Sequence, residues 1–168
     1  MKVFNLFIIL LIVNSASAQN KFTNIILADC VKMMTAIKNK DYEVIVNYTY
    51  PKFVEMTGSK KKLIELTKKS YAEMEQNNFF LEDFIFEKPS KIYTAGSELH
   101  CTIGKTTIVK TPNGRVSQLH YMLVVSKNQG KSWYYIETHA LTERTIKQIF
   151  PKFNYNLKIP KKSALKYL

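Results

Sequence analysis

Two short turns, TPNGR (111–115) and KNQGK (127–131), cut residues 98–140 into three long segments of strand character. The segments are ELHCTIGKTTIVKT, RVSQLHYMLVVS and SWYYIETHA, rich in β-branched and aromatic residues. A loop of a few residues returns a strand antiparallel beside itself, so the three segments form a meander. A further aromatic stretch, FFLEDFIFEKPSKIYTA (79–95), precedes them. Pro89 interrupts it, which suits an edge strand or a bulge.

The first half of the chain changes period. From Phe22 to Ile37, apolar residues fall at 22, 25, 26, 30, 33, 34 and 37, the spacing of a helix with a broad buried face. Asp41 is placed to cap a second helical segment, DYEVIVNYTY, which Pro51 should end at Tyr50. PKFVEM starts a short helix on its proline, and Gly58 stops it. Ser59 is the N-cap candidate for KKKLIELTKKSYAEMEQNN, whose apolar stripe is Leu63, Leu66, Thr67, Ser70 and Met74. Thr142 is placed to cap TERTIKQIF, and PKFNYNLKIPKK (151–162) reads as an extended tail. Helices followed by long antiparallel strands give the α+β class, with the helices on one face of a curved sheet.

One stretch resembles an enzyme signature. SKNQGKSW (126–133) is nearly the Asp box, Ser/Thr-x-Asp-x-Gly-x-x-Trp, of sialidase-type propellers. A propeller repeats such a motif from blade to blade, and here it occurs once in 168 residues. It therefore reads as a hairpin clip. Asn128 bonds the turn, Gly130 takes the left-handed position and Trp133 opens the last strand.

The N-terminus has the three parts of an export leader: Lys2, the apolar VFNLFIILLIV, and Ala16-Ser17-Ala18. The expectation is cleavage near Ala18 and a periplasmic or secreted product. The apolar run is too short for a membrane span of roughly 20 residues. Three parts follow: residues 1–18 as leader, 19–150 as one α+β domain, and 151–168 as an extended basic tail.

The formal net charge of +12 suits anionic partners, but only Arg115 and Arg144 are arginines and the lysines are scattered. Export and this pattern make nucleic acid an unexpected partner. Cys30 and Cys101 are too few for a disulfide scaffold, and two buried thiols are preferred over one bridge. His100, His120 and His139 lack metal-site spacing, and no HExxH, GxSxG, GxGxxG or P-loop motif is present. No metal and no cofactor is expected.

If both turns are three-residue loops with a glycine bulge, Thr111 faces Arg115 and Lys127 faces Lys131. The inner face then carries the rows Cys101–Val125–Trp133, Ile103–Leu123–Tyr135, Lys105–Tyr121–Glu137 and Thr107–Leu119–His139. Lys105, Tyr121, Glu137 and His139 are polar exceptions on an aromatic face. Polar groups converging among apolar ones make a candidate ligand pocket. Tyr48 and Tyr50, at the helix end before Pro51, are placed to look into it, as is Tyr135.

The chain resembles the nuclear transport factor 2-like superfamily, which includes SnoaL-like and ketosteroid-isomerase-like proteins. KNKDYEVIVNYTYPKFVEM, SKKKLIELTKKSYAEME and the ending GKSWYYIETHA carry the resemblance, across residues 22–140. It implies a cystatin-like cone, in which helices close over a bent sheet and leave a pocket. Catalytic relatives use an Asp base there, whereas this chain reads TYPKF (49–53) with no carboxylate. Asp83 has no matching partner either.

The leading expectation is an exported, non-catalytic binding module for a small apolar or anionic ligand, with homodimerisation through the outer sheet face. The alternative is an isomerase or hydrolase, with Glu137 or His139 as base and Tyr121 as hydroxyl donor. A filled cone with no pocket is the third reading.

Overall fold

The computed structural model describes the backbone of residues 2–168 and the side chains of residues 19–168. The export leader read over residues 1–18 lies outside these fully described residues. Among the described residues, no helix is long and apolar enough to cross a membrane.

The helical period read over 22–37 lies within α1 (Lys2–Lys38). Its apolar stripe buries Ile26, Cys30 and Met33 against one face of the sheet. Asp41 caps α2 (Tyr42–Asn47) by accepting from the Val44 amide at 3.2 Å. The helix stops at Asn47, three residues earlier than the sequence suggests. Tyr48 caps it with helical dihedrals, and the chain is extended by Tyr50, because the residue before Pro51 is pushed out of the helical region (Tyr50 ψ 125°). α3 (Pro51–Met56) follows, with proline in its first turn. Ser59 then caps α4 (Lys60–Gln76), accepting from the Lys62 amide at 3.1 Å.

Six strands form one antiparallel sheet. They are β1 (Phe80–Phe86), β2 (Tyr93–Ala95), β3 (Glu98–Thr111), β4 (Gly114–Ser126), β5 (Tyr134–Glu137) and β6 (Lys166–Tyr167). The order is β1-β3-β4-β5, with β2 on another part of β3 and β6 on another part of β4. The class is therefore α+β, as the sequence indicates.

The register differs from the sequence reading at both turns. Thr111 pairs with Gly114, so the first loop is the two residues Pro112 and Asn113. Proline fixes the negative φ that opens such a turn, and Gly114 closes it at φ +119°. At the second turn, Val125 pairs with Tyr134 rather than with Trp133. Gln129 as well as Gly130 takes positive φ there (+58° and +81°), which widens the loop. The two one-residue slips add to a two-residue shift of β5 against β3, so β3 and β5 keep their faces and only β4 is reversed. The inner rows are Cys101–Val124–Tyr135 and Ile103–Met122–Glu137, and Lys105 faces His120. Tyr121, Leu123 and Val125 point to the outer face.

The clip in SKNQGKSW forms as read. Ser126 Oγ accepts from the Gly130 amide at 2.8 Å, and Asn128 Oδ1 accepts from the Ser132 amide at 2.9 Å. Gly130 is required twice over, by its φ and by the Phe22 ring, which occupies the space a Cβ would need.

The outer face has its own core. α5 (Glu143–Ile149), capped by Thr142, brings Ile149, Phe150, Phe153 and Leu157 against Leu123, Val125 and Ile136. The division drawn at residue 150 therefore cuts through one core. Beyond Leu157 the chain runs along the β4 edge. The Ser163 amide donates to Leu119 O, and β6 pairs Tyr167 with Val116. Residues Ile149–Leu157 cover part of the outer face through which a homodimer was expected. Cys30 and Cys101 are buried free thiols in the inner core, and burial pushes each up to about 12.

Candidate functional site

Between the helices and the inner face lies a cavity of about 430 Å³. α1 contributes Met33 and Ile37 to it, and α2 and α3 contribute Val46 and Phe53. The sheet contributes Phe84, Phe86, Met122 and Tyr135. α4 forms the remaining wall with Leu63, Leu66, Thr67, Ser70 and Tyr71. The apolar stripe of α4 thus faces a hollow. None of its 17 residues is buried, and Leu66 remains 48% exposed.

Five of the residues singled out by sequence line this cavity: Tyr48, Lys105, Tyr135, Glu137 and His139. Their roles differ. The Tyr135 hydroxyl donates to Ile26 O at 3.2 Å, and that of Tyr48 donates to Asp29 Oδ1 at 3.3 Å. Both hydroxyls are thus engaged by α1, and burial pushes both well above the ordinary phenol value. These tyrosines offer the cavity their rings, packed edge to face at 6.0 Å.

Lys105 and Glu137 form an ion pair, although they do not share a row. Lys105 is the deeper partner, with 14% of its side chain exposed against 34% for Glu137. The Lys105 ammonium also stands 5.0 Å from the Phe84 ring centre. His139 Nδ1 lies 3.9 Å from the outer Glu137 oxygen. β5 ends at Glu137, and His139 sits in a single 3₁₀ turn, Thr138–Ala140, at the cavity rim.

Tyr121 and Tyr50 do not reach this cavity. The reversal of β4 turns Tyr121 outward, which removes the hydroxyl donor on which the acid–base alternative depended. Tyr50 is separated from Tyr48 by a change of backbone at Thr49, which bridges to Tyr135 of β5: Tyr48 still has helical dihedrals (φ −82°, ψ −9°), whereas Tyr50 is extended (ψ 125°). Tyr48 lines the inner cavity, and Tyr50 belongs to the outer core. There the Tyr50 hydroxyl donates to Glu98 Oε1 at 2.8 Å, and His100 Nε2 lies 3.0 Å from Glu98 Oε2. These groups line a second hollow of about 280 Å³ with Lys52 and Phe150. His100 is fully buried and its Nδ1 has no hydrogen-bond partner among the described residues.

Sequence reasoning passed over one group that anchors a cavity tyrosine and one that lines the cavity, both with legible signals. Asp29, which anchors Tyr48, falls on the apolar face of α1, three residues after Ile26 and four before Met33. Tyr71 continues the α4 stripe four residues after Thr67. Burial first, then the Glu137 charge, pushes its hydroxyl up to about 12. Among the described residues, no cluster of His, Cys, Asp and Glu is arranged to hold a metal ion. The chain matches no family model, and no curated protein is significantly similar to it.

Proposed function

We propose that this protein is an exported, non-catalytic binding module of the nuclear transport factor 2-like type, with a small, largely apolar ligand held between helices and sheet. The observation that carries this reading is α4. An amphipathic helix is held in a globular fold by burying its apolar face. Here that face lines a hollow of about 430 Å³, within the usual size range of small-molecule sites. A ligand filling the hollow completes the burial that the chain leaves unfinished.

The polar groups support binding over catalysis. The two inner tyrosines spend their hydroxyls on α1, and Lys105 and Glu137 neutralise one another. A general base needs a free, positioned group. The order of helices and sheet supports the cone arrangement.

The test is thermal unfolding of the leader-free protein, residues 19–168, against a panel of apolar small molecules. A binder at 100 times its Kd should add about 2.7 kcal/mol of stability. Leu63→Trp, which fills the hollow, should raise the melting temperature and abolish that response. A panel in which no apolar compound shifts the transition would reject the reading.

A further inference from the structure

We propose that the ligand is an amphipathic acid, whose anionic head takes the place of Glu137 on Lys105 while its apolar body lies along α4. This rests on the cavity-binding reading above and adds the chemical class.

Lys105 is the only ammonium and Glu137 the only carboxylate among the described residues that line the cavity. They differ in depth. Lys105 is the more buried of the two, wedged against Phe84, whereas Glu137 ends β5 at the rim. A ligand entering past the rim meets Glu137 first. Glu137 has somewhere to go, either to water or to His139 Nδ1, already 3.9 Å away. Lys105 has no such outlet. A charge left in an apolar hollow without a partner is costly, so whatever displaces Glu137 must bring a negative charge of its own.

The surroundings favour the same sign. His120 faces Lys105 across the β3–β4 pair, and His139 flanks Glu137 on the other side. Lys162, from the C-terminal segment, is close enough to depress the charging of His120, as are Lys105 and His139. Around one carboxylate stand the Lys105 ammonium and two imidazoles, with Lys162 beside His120. An alkylammonium head would instead pair with Glu137 and strand Lys105.

The rest of the lining is suited to a hydrocarbon body. Met33, Ile37, Phe53, Leu63 and Phe86 present no hydrogen-bonding group. Methionine side chains in particular adapt to ligands of irregular shape.

Decanoate, decanol and decylammonium, each below its aggregation concentration, separate the possibilities by calorimetric titration of residues 19–168. Decanoate should bind about tenfold more tightly than decanol, the worth of one charge-assisted contact. Decylammonium should bind most weakly. Lys105→Met should bring decanoate down to the level of decanol without weakening decanol itself. Glu137→Gln should tighten decanoate, because nothing then competes for Lys105, and this variant keeps the test sound should Lys105→Met fold poorly. Equal binding of decanoate and decanol by the parent protein would overturn the inference while leaving the cavity-binding reading intact. Tightest binding of decylammonium would overturn it in favour of Glu137. Binding of none of the three would reject both.

Discussion

Glu137 and Glu98 are partly buried carboxylates on opposite faces of one sheet, each bonded to a basic side chain, yet their surroundings contrast. Glu137 holds Lys105 beside a hollow whose fourth wall is a helix with no buried residue. Glu98 accepts from Tyr50 and His100, and the Phe150 and Phe153 rings close over that histidine at 5.0 and 5.6 Å. The chain closes one face with its own C-terminal segment, whereas the other combines a packed core around Ile26, Trp133 and Tyr135 with an unfilled hollow. Substitutions in the outer core should therefore cost more than those on the wall of the hollow.

That contrast can be broken by substitution. Phe150→Ala should cost about 3–5 kcal/mol in urea unfolding, the usual loss for a buried phenylalanine. Leu66→Ala, on the wall of the hollow, should cost less than about 1 kcal/mol. A comparable loss at both positions would mean that α4 is packed as firmly as the outer core. Next in size is the carboxylate pair. Glu98→Ala leaves a tyrosine hydroxyl and a buried imidazole N–H without an acceptor, at about 2–3 kcal/mol. Glu137→Ala removes a partly exposed ion pair and should cost about 1 kcal/mol or less. The same urea midpoints decide this, and a larger loss at Glu137 would reverse the assignment.

The smallest effect is in pH. Burial holds His100 below its ordinary value, against the opposing pull of Glu98. Burial likewise lowers His120. The unfolded chain then binds protons that the folded one refuses. Stability from these groups is fully present above about pH 6.5 and declines as the pH falls below it. Urea midpoints at pH 7.5 and 5.5 should show the decline, and His100→Gln should reduce it. An unchanged slope in that variant would place the sensitivity elsewhere.

Nearly every element was legible in the sequence, because periodicity and capping are local. Ser59, Asp41 and Thr142 accept the amides that capping requires of them. Register was not legible. It depended on whether Pro112-Asn113 alone makes the first loop, and on a left-handed residue at Gln129, which carries no glycine signal. Each error was a single residue, and each reversed β4, which misplaced Tyr121. Lys105 and Glu137 kept their face because the two slips add to an even shift of two residues between β3 and β5, which moves them one row apart. Tyr50 was misplaced for another reason. The helical period ends at Tyr48, and the direction of Tyr50 is set by the Thr49–Tyr135 bridge and by Pro51, which a helical pattern does not convey. The closing role of the C-terminal segment depends on contacts with residues far away in the chain, which no local pattern encodes.

The Tyr48–Tyr50 segment also constrains the order of folding. Its backbone is held by Tyr135, its outward ring by Glu98, and the neighbouring Lys52 ammonium reaches Ile149 O, 97 residues away. None of these partners exists until the meander has formed and the chain beyond it has been laid down. The helical half can form its turns early, but it cannot be fixed in place until then. Contacts of such long sequence separation slow folding, because loop closure comes before any gain. The ligand hollow is thus among the last features to take shape.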